Sequence, residues 1–219
     1  MEDHGTTHLN VVDKHRNSVA ITSSVNYYFG SKFASPSTGI IFNNVMDDFA
    51  TPGRPNIYGL IPAESNYVAP NKRPLSSMAP TMVFDSNDLN LEDGNDHGFG
   101  RLLLVLGASG GPKIISAVLQ VILNRIYLGM STFDSIIHPR IHNQLLYHDA
   151  DATGYEQSEL FKDILIETSN RTRTALEKRN QSLFSIDYMG TCQAISVDYE
   201  TDLLSAVSDP RKYGQSSGY

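Results

Sequence analysis

"GTTHLNVVDKHRNSVAITSS", residues 5–24, consists of two runs rich in β-forming residues, joined by the polar segment "DKHRN". Two such runs on either side of a short polar turn predict a β-hairpin. Thr6 then lies at the open end of the hairpin, where a threonine is either an ordinary strand residue or a nucleophile that needs a free amino group. The local sequence does not indicate which of the two threonines, Thr6 or Thr7, would be the nucleophile.

Outside the hairpin, loop-rich and regular segments follow one another. Residues 30–80 are rich in Pro, Gly, Ser and Asn and predict a long loop, and such loops inside a domain are more often functional than idle. "TMVF" at 81–84 and "RLLLVLGA" at 101–108 predict buried strands, with a charged surface excursion between them. The last segment, "CQAISVD" followed by "LLSAVSDP", predicts a second hairpin.

Two helices are predicted in the second half of the chain. "PKIISAVLQVILNRIYLG", residues 112–129, begins with Pro and ends with Gly. Its apolar residues recur at helical spacing on one face: Ile115, Val118, Leu119, Ile122 and Ile126. A second helix is predicted from Ser158 to about Arg179. Because sheet and helix segments segregate instead of alternating strictly, the order favours an α+β fold of stacked layers over a doubly wound sheet.

Composition narrows the range of partners. The chain has 219 residues and 40% hydrophobic content, which suits one large domain, and its formal net charge is -7. A phosphate backbone needs a basic surface, so no nucleic-acid partner is expected and a small polar substrate fits better. Cys192 is the only cysteine, which rules out a disulfide within the chain and a cysteine-rich metal site.

Three local patterns could bind charged groups. "LLLVLGASGGPKIIS", residues 102–116, is a strand, a glycine-rich turn and a helix start, which would aim backbone N–H groups at an anion. A tight turn that needs glycine conformations remains the alternative. Asp47 or Asp48 could bind an ammonium group, and Ser76 and Ser77 could bind a carboxylate, although residues of these types more often belong to exposed turns. The seven histidines show no metal-ligand spacing, so no metal site is predicted.

Eight ordered motifs together carry a family resemblance. They are "TTHLNVVD" (6–13), "TSSVN" (22–26), "SPSTGIIFNN" (35–44), "MDDF" (46–49), "KRPLSSMAPT" (72–81), "GASGG" (107–111), "MGTCQAISV" (189–197) and "SDPR" (208–211). In this order they resemble the small, catalytic subunit of gamma-glutamyltransferase, a member of the N-terminal nucleophile hydrolases. The resemblance implies the small-subunit part of a four-layer αββα sandwich.

The resemblance also implies a mechanism. Members are made as one precursor that cuts itself before a threonine, whose hydroxyl then attacks the gamma-glutamyl bond of glutathione. Thr6 matches that nucleophile, with its free amine moving the proton, and Ser24 matches a threonine whose hydroxyl bonds to the nucleophile. Gly110 and Gly111 match the oxyanion hole. No cofactor is implied, and the acyl group would pass to water, an amino acid or a peptide.

Further residues match the family's substrate-binding positions. Asn26 and Asp48 match residues that bind the α-amino group of the substrate, and Ser76 and Ser77 match those that bind its α-carboxylate. Tyr58 falls in a loop that covers the site in some relatives, which makes it a lid candidate. Val45 departs from the family, since relatives usually carry Glu or Gln at its position.

The resemblance divides the chain and implies a partner. Residues 1–5 resemble the end of the family's large subunit, and residues 6–219 form the small-subunit catalytic domain. The expected partner is that large subunit, cut from the same precursor, and the expected location is extracellular, vacuolar or associated with the plasma membrane. A catalytically inactive interaction or regulatory protein that consists of the small subunit alone is the alternative.

Overall fold

The predicted hairpin forms as expected. A computed structural model of the chain describes residues 5–86, 100–145, 151–160 and 164–219. In chain order the described strands and α-helices are β1 (Thr6–Val12), β2 (Ser18–Ser24), β3 (Thr81–Asp85), β4 (Arg101–Ser109), α1 (Lys113–Ile122), α2 (Thr132–Ile137), β5 (Ile141–His142), β6 (Ala152–Leu160), β7 (Ile164–Glu167), α3 (Asn170–Glu177), β8 (Ser182–Ile186), β9 (Thr191–Asp198) and β10 (Leu203–Ser208). Strands β1 and β2 pair antiparallel, which places Thr6 opposite Ser24.

A four-stranded antiparallel sheet supports this hairpin. Its strand order is β10-β9-β4-β3, so the strands predicted at 81–84 and 101–108 and the predicted second hairpin all form. Burial is confirmed for β4 but is wrong for β3, because β3 lies at the edge of the sheet and leaves Met82 and Phe84 each 37% exposed. Strand β4 is the most apolar strand and buries Leu104, Val105 and Leu106 completely. Strands β1 and β2 contact β4, and helices α1 and α2 contact the same sheet, which gives the stacked α+β layers predicted from the sequence.

Helix α1 is confirmed, and the face that it buries coincides only in part with the apolar stripe seen in the sequence. The helix buries Ile114, Ala117, Val118 and Val121 against the sheet, and it continues as a π-helical turn over Leu123–Tyr127. Several residues of that stripe face outward: Ile115, Leu119 and Ile126 are 58%, 53% and 39% exposed. Because the helix is apolar on both sides, hydrophobic spacing alone could not identify the side that meets the sheet.

The predicted second helix from Ser158 to Arg179 is wrong over most of its length. Ser158 lies in β6, β7 follows, and only Asn170–Glu177 is helical, as α3. Strand β6 pairs antiparallel with β5 and β7 and parallel with β8. Its buried residues include the polar Thr153, Glu156 and Ser158, so the strand lacks the apolar alternation by which a strand is recognised.

The long loop is confirmed as irregular chain. Residues 25–80 contain two 3-10 turns, Val45–Asp48 and Glu64–Asn66, together with isolated bridges. The predicted surface excursion between β3 and β4 lies largely at residues 87–99, outside the described residues. This loop supplies one wall of the cavity at the end of the hairpin.

Candidate active site

Two hydroxyl groups meet at the open end of the hairpin. Thr6 is 7% exposed, and its Oγ1 lies 2.9 Å from Ser24 Oγ. The contact follows from the strand register, because Thr6 and Ser24 face each other across β1 and β2 and their side chains point to the same side. Thr7 points the opposite way and is exposed. The structure therefore separates two threonines that local sequence could not.

Ser24 also connects Thr6 to the chain that follows β2. The backbone N–H of Asn26 donates to Ser24 Oγ at 2.8 Å. Asn26 is buried and has φ 73, a left-handed conformation that asparagine tolerates better than most residues. Its side chain donates to the carbonyl oxygen of Asn44 at 3.2 Å, which connects the end of the hairpin to the long loop at residues 25–80.

The peptide bond before Thr6 is tightly held. The carbonyl oxygen of Gly5 accepts the Val25 N–H at 2.9 Å and lies 3.4 Å from the Ser24 hydroxyl, a second donor. A Cβ added at Gly5 would lie 2.1 Å from the carbonyl oxygen of Asn26, which real structures do not tolerate. Only glycine fits at this position without a shift of the backbone.

A cavity of about 830 Å³ opens next to the hydroxyl pair. Most of the residues expected from the sequence line it together: Thr6, Ser24, Asn26, Asp48, Tyr58, Ser76, Ser77 and Gly111. Val45, the departure from the family, also lines it. Gly110 does not line the cavity and lies one residue before Gly111, in the turn that leads into α1.

The glycine-rich turn before α1 adopts a backbone conformation that residues other than glycine disfavour. Gly110 and Gly111 have φ 137 and φ 59, conformations open mainly to glycine. A Cβ on Gly110 would lie 2.7 Å from Gly190 Cα, so close packing also excludes a side chain there. The carbonyl groups of both glycines accept the first N–H groups of α1, while among the described residues their own N–H groups have no backbone acceptor. Two donors at a helix start can thus serve a negative charge.

Polar groups of the long loop complete the wall of the cavity. Asp47 and Asp48 sit in the 3-10 turn Val45–Asp48, and Asp47 accepts a hydrogen bond from the Tyr27 hydroxyl. Asp48 is fixed through its backbone, since its carbonyl oxygen accepts from Asn66 Nδ2 at 2.8 Å. Ser76 Oγ accepts the Met78 N–H at 3.2 Å, so it also shapes its own turn. This contact fits the turn-forming alternative for Ser76, and binding of a carboxylate by Ser76 and Ser77 stays a prediction.

Two residues near Thr6 were missed by sequence reasoning. His8 is 6% exposed and lies under the hairpin, where its Nδ1 is 2.8 Å from Thr22 Oγ1 and its Nε2 is 2.9 Å from Asn10 Oδ1. Lys212, after the last strand, donates from Nζ to the carbonyl oxygen of Thr6 at 2.7 Å. The position of His8, two residues after Thr6 on the same face of a strand, was a usable signal, whereas the contact of Lys212 spans almost the whole chain.

Across the described ranges, no group of three or more His, Cys, Asp or Glu side chains is placed to hold a metal ion. Within the same ranges, no helix has both the length and the apolar character needed to cross a membrane.

The stacked α+β layers, with a buried threonine opening the central hairpin, define the fold of the N-terminal nucleophile hydrolases. The family model "Gamma-glutamyltranspeptidase" matches residues 1–219. The chain belongs to the gamma-glutamyltranspeptidase family.

Individual relatives agree with this assignment. Glutathione hydrolase 2 of Arabidopsis thaliana is 41% identical over 229 residues, which cover 100% of this chain and 36% of that protein. The glutathione hydrolase proenzyme of Escherichia coli K12 is 39% identical over 211 residues, covering 96% of this chain and 32% of that protein. A crystal structure of a Helicobacter pylori gamma-glutamyltranspeptidase mutant aligns with a TM-score of 0.79 and 34% identity, covering 94% of this chain and 100% of that chain. The chain thus spans about a third of the length of these two curated relatives.

Proposed function

We propose that this chain carries the catalytic small subunit of a glutathione hydrolase and gamma-glutamyltransferase, with Thr6 as the nucleophile. The observation that carries the proposal is the partly buried Thr6–Ser24 hydroxyl pair, which lines the cavity directly after a peptide bond whose carbonyl oxygen is hydrogen-bonded. Cleavage between Gly5 and Thr6 would leave residues 6–219 as the active subunit. Membership of the family supports this reading.

The clamped peptide bond supports self-cleavage. In the proposed first step, Thr6 Oγ1 adds to the carbonyl carbon of Gly5 and the Thr6 nitrogen leaves with a proton, which yields an ester. This acyl shift frees the Thr6 amine, and water then hydrolyses the ester, which restores the Thr6 hydroxyl and leaves a carboxylate on Gly5. The Val25 N–H and the Ser24 hydroxyl, both near the Gly5 oxygen, are placed to stabilise negative charge on that oxygen.

The same hydroxyl would then act on the substrate. Thr6 Oγ1 attacks the gamma-glutamyl carbonyl carbon, its proton passes through the free amine to the leaving nitrogen, and a gamma-glutamyl ester forms on Thr6. A free α-amine has a pKa near 8, so unlike an amide nitrogen it can accept a proton near neutral pH. Water, an amino acid or a peptide then takes the acyl group and restores the threonine. The Gly110 and Gly111 N–H groups would hold the oxyanion in both steps.

The cavity suits the two ends of a glutamyl group. Asn26 and Asp48 would bind the α-amino group through their side-chain oxygens, and Ser76 and Ser77 would donate to the α-carboxylate. Tyr58 lines the same cavity and would close over the bound substrate as part of a lid. None of these steps needs a metal or organic cofactor.

Exposed apolar residues support a large-subunit partner. The outward side of α1 and the segment after it carry Ile115, Leu119, Leu128 and Phe133, all at least 53% exposed. Exposed apolar patches commonly mark protein–protein interfaces, and a helix that is apolar on both sides is normally buried on both. The proposed partner is the family's large subunit, cut from the same precursor.

Mass spectrometry of the complete gene product tests the proposal. Wild-type protein should yield a fragment that begins at Thr6 and should hydrolyse gamma-glutamyl-p-nitroanilide. Thr6→Ala should remain uncut and inactive, and Thr7→Ala, which changes an exposed neighbour, should be cut normally. An uncut wild-type chain without turnover would instead support the non-catalytic interaction protein.

A further inference from the structure

We infer that Arg54 binds the carboxylate of the peptide that leaves, or accepts, the gamma-glutamyl group, so that the cavity contains a second anion subsite besides the one for the glutamyl α-carboxylate. The inference rests on the proposed function and assigns a residue that neither the motifs nor the family resemblance singled out.

The cavity is larger than a glutamyl group requires. Its volume of about 830 Å³ lies in the upper part of the range for pockets that hold drug-sized ligands, about 300–1,000 Å³. A glutamyl group alone is much smaller than such a ligand. The remaining space is lined by the segment from Thr51 to Pro62, which none of the assigned glutamyl contacts uses except through Tyr58.

Arg54 and Arg73 are the two cationic side chains that line the described cavity. Within the described residues five other arginines form ion pairs, whereas Arg54 and Arg73 form none there; the five are Arg16, Arg101, Arg140, Arg173 and Arg211. Both are exposed on the cavity wall, in a chain whose net charge is -7. Their charges are therefore available to an anionic ligand.

Sequence position distinguishes the two arginines. Arg73 comes three residues before Ser76 and belongs to the segment proposed to bind the glutamyl α-carboxylate. Arg54 belongs to a separate turn, closed by its own N–H to the Thr51 carbonyl oxygen at 3.2 Å. The following turn is also fixed, because Asn56 Oδ1 accepts the N–H groups of Tyr58 and Leu60 at 3.0 Å each. Arg54 is thus held on an ordered platform, which lowers the entropic cost of binding.

The proposed reaction involves a peptide carboxylate that a cation such as Arg54 would bind. When glutathione loses its glutamyl group, the leaving dipeptide carries a carboxylate at its far end, and a peptide acceptor carries the same group when it enters. Both occupy the same region, because transfer is the reverse of the first acylation with a different amine. A guanidinium group forms paired hydrogen bonds with a carboxylate, so one arginine serves both directions.

Two acceptors that differ only in charge test the inference. Transfer from gamma-glutamyl-p-nitroanilide is measured with glycylglycine and with glycylglycine amide, using wild-type gene product, Arg54→Ala and the control Arg171→Ala, an exposed arginine on α3 away from the cavity. We expect Arg54→Ala to raise the KM for glycylglycine about tenfold, the effect of one lost charge-assisted contact, and to leave the KM for the amide unchanged. Arg171→Ala should change neither.

The remaining outcomes separate this inference from the proposed function. Equal KM changes for both acceptors, or no change for glycylglycine, would overturn the role of Arg54 while hydrolysis by the wild type still supports the glutamyl site. Loss of donor hydrolysis in Arg54→Ala alone would also overturn it, since the residue would then support the fold of the loop. A wild type that is cut at Thr6 yet hydrolyses no gamma-glutamyl compound would refute the proposed function itself.

Discussion

At the scale of single residues, Ser24 is the most informative neighbour of Thr6. Its oxygen accepts the Asn26 N–H at 2.8 Å, which leaves its proton for Thr6 Oγ1 at 2.9 Å or the Gly5 oxygen at 3.4 Å. We expect Ser24→Ala to slow both self-cleavage and turnover by about 10–100-fold, since a donor to developing charge is lost. Ser24→Thr keeps the hydroxyl and should retain both. Cut fraction by mass spectrometry and kcat measure the effect; full activity in Ser24→Ala would contradict it.

Val45 carries a prediction about affinity. It lines the cavity but cannot accept a hydrogen bond from a substrate ammonium group, as the Glu or Gln of the resemblance could. A charge-assisted bond contributes about 1.5–3 kcal/mol, so Val45→Glu should lower the KM for the glutamyl donor by about tenfold or more. Val45→Leu, which adds no acceptor, is the matched control. Unchanged KM values in Val45→Glu would refute this account of the departure.

At the scale of elements, the packing of the hairpin on β4 depends on a neutral His8. Asn10 Nδ2 donates to the Gln193 carbonyl oxygen, so Asn10 Oδ1 faces His8 Nε2 as an acceptor and His8 Nδ1 accepts from Thr22. A Cβ at Gly107 would lie 2.2 Å from His8 Cε1, so the ring fits only against a glycine. A second ring proton would face Thr22 in a buried site.

This arrangement predicts a loss of stability in mild acid. Burial lowers the pKa of His8, an effect that the bond to Asn10 only partly offsets. The unfolded chain, with a histidine pKa near 6.5, binds the proton more readily, so the contribution of neutral His8 is complete above about pH 6.5 and declines as the pH falls towards the folded pKa. Urea unfolding at pH 7.5 and 5.5 should show a smaller pH difference for His8→Gln than for wild type. The exposed His15→Gln should behave as wild type; identical pH differences for all three would refute the role of His8.

The elements also show where sequence reasoning succeeds and fails. The hairpin, strands β3 and β4, and helix α1 follow from apolar patterns and turn residues, because local spacing determines them. Strand β6 was missed because polar residues such as Glu156 break its apolar alternation, yet Glu156 is completely buried against a distant arginine, Arg211. Arg54 was missed for a similar reason, since only the folded loop brings it to the cavity. Contacts between distant segments, especially polar ones, leave no local pattern.

At the scale of the whole molecule, four buried charges tie the end of the chain to its centre. Arg211 contacts both oxygens of Glu156 at 2.5 and 2.8 Å and Asp209 at 3.0 Å, and Arg140 contacts Asp209 at 2.8 Å. Arg140 also donates to the Gly190 carbonyl oxygen at 2.8 Å, and Gly190 packs on Gly110. The cluster therefore supports the glycine turn from behind. Burial alone would raise the pKa of Asp209, but the two arginines hold that pKa below its ordinary value.

Removal of one negative charge from this cluster should lower the stability of the fold, because one of the two buried arginines would then lack a compensating carboxylate. We expect Asp209→Asn to lower the free energy of unfolding by about 3–5 kcal/mol. The matched control is Asp202→Asn, which breaks the Arg16 pair at a site where the aspartate side chain is 87% exposed, and exposed pairs contribute about 0–1 kcal/mol. Urea unfolding of both variants at pH 7.5 compares the two costs directly. Equal losses would mean that the cluster does not bind the end of the chain to the sheet, and the glycine turn would need another support.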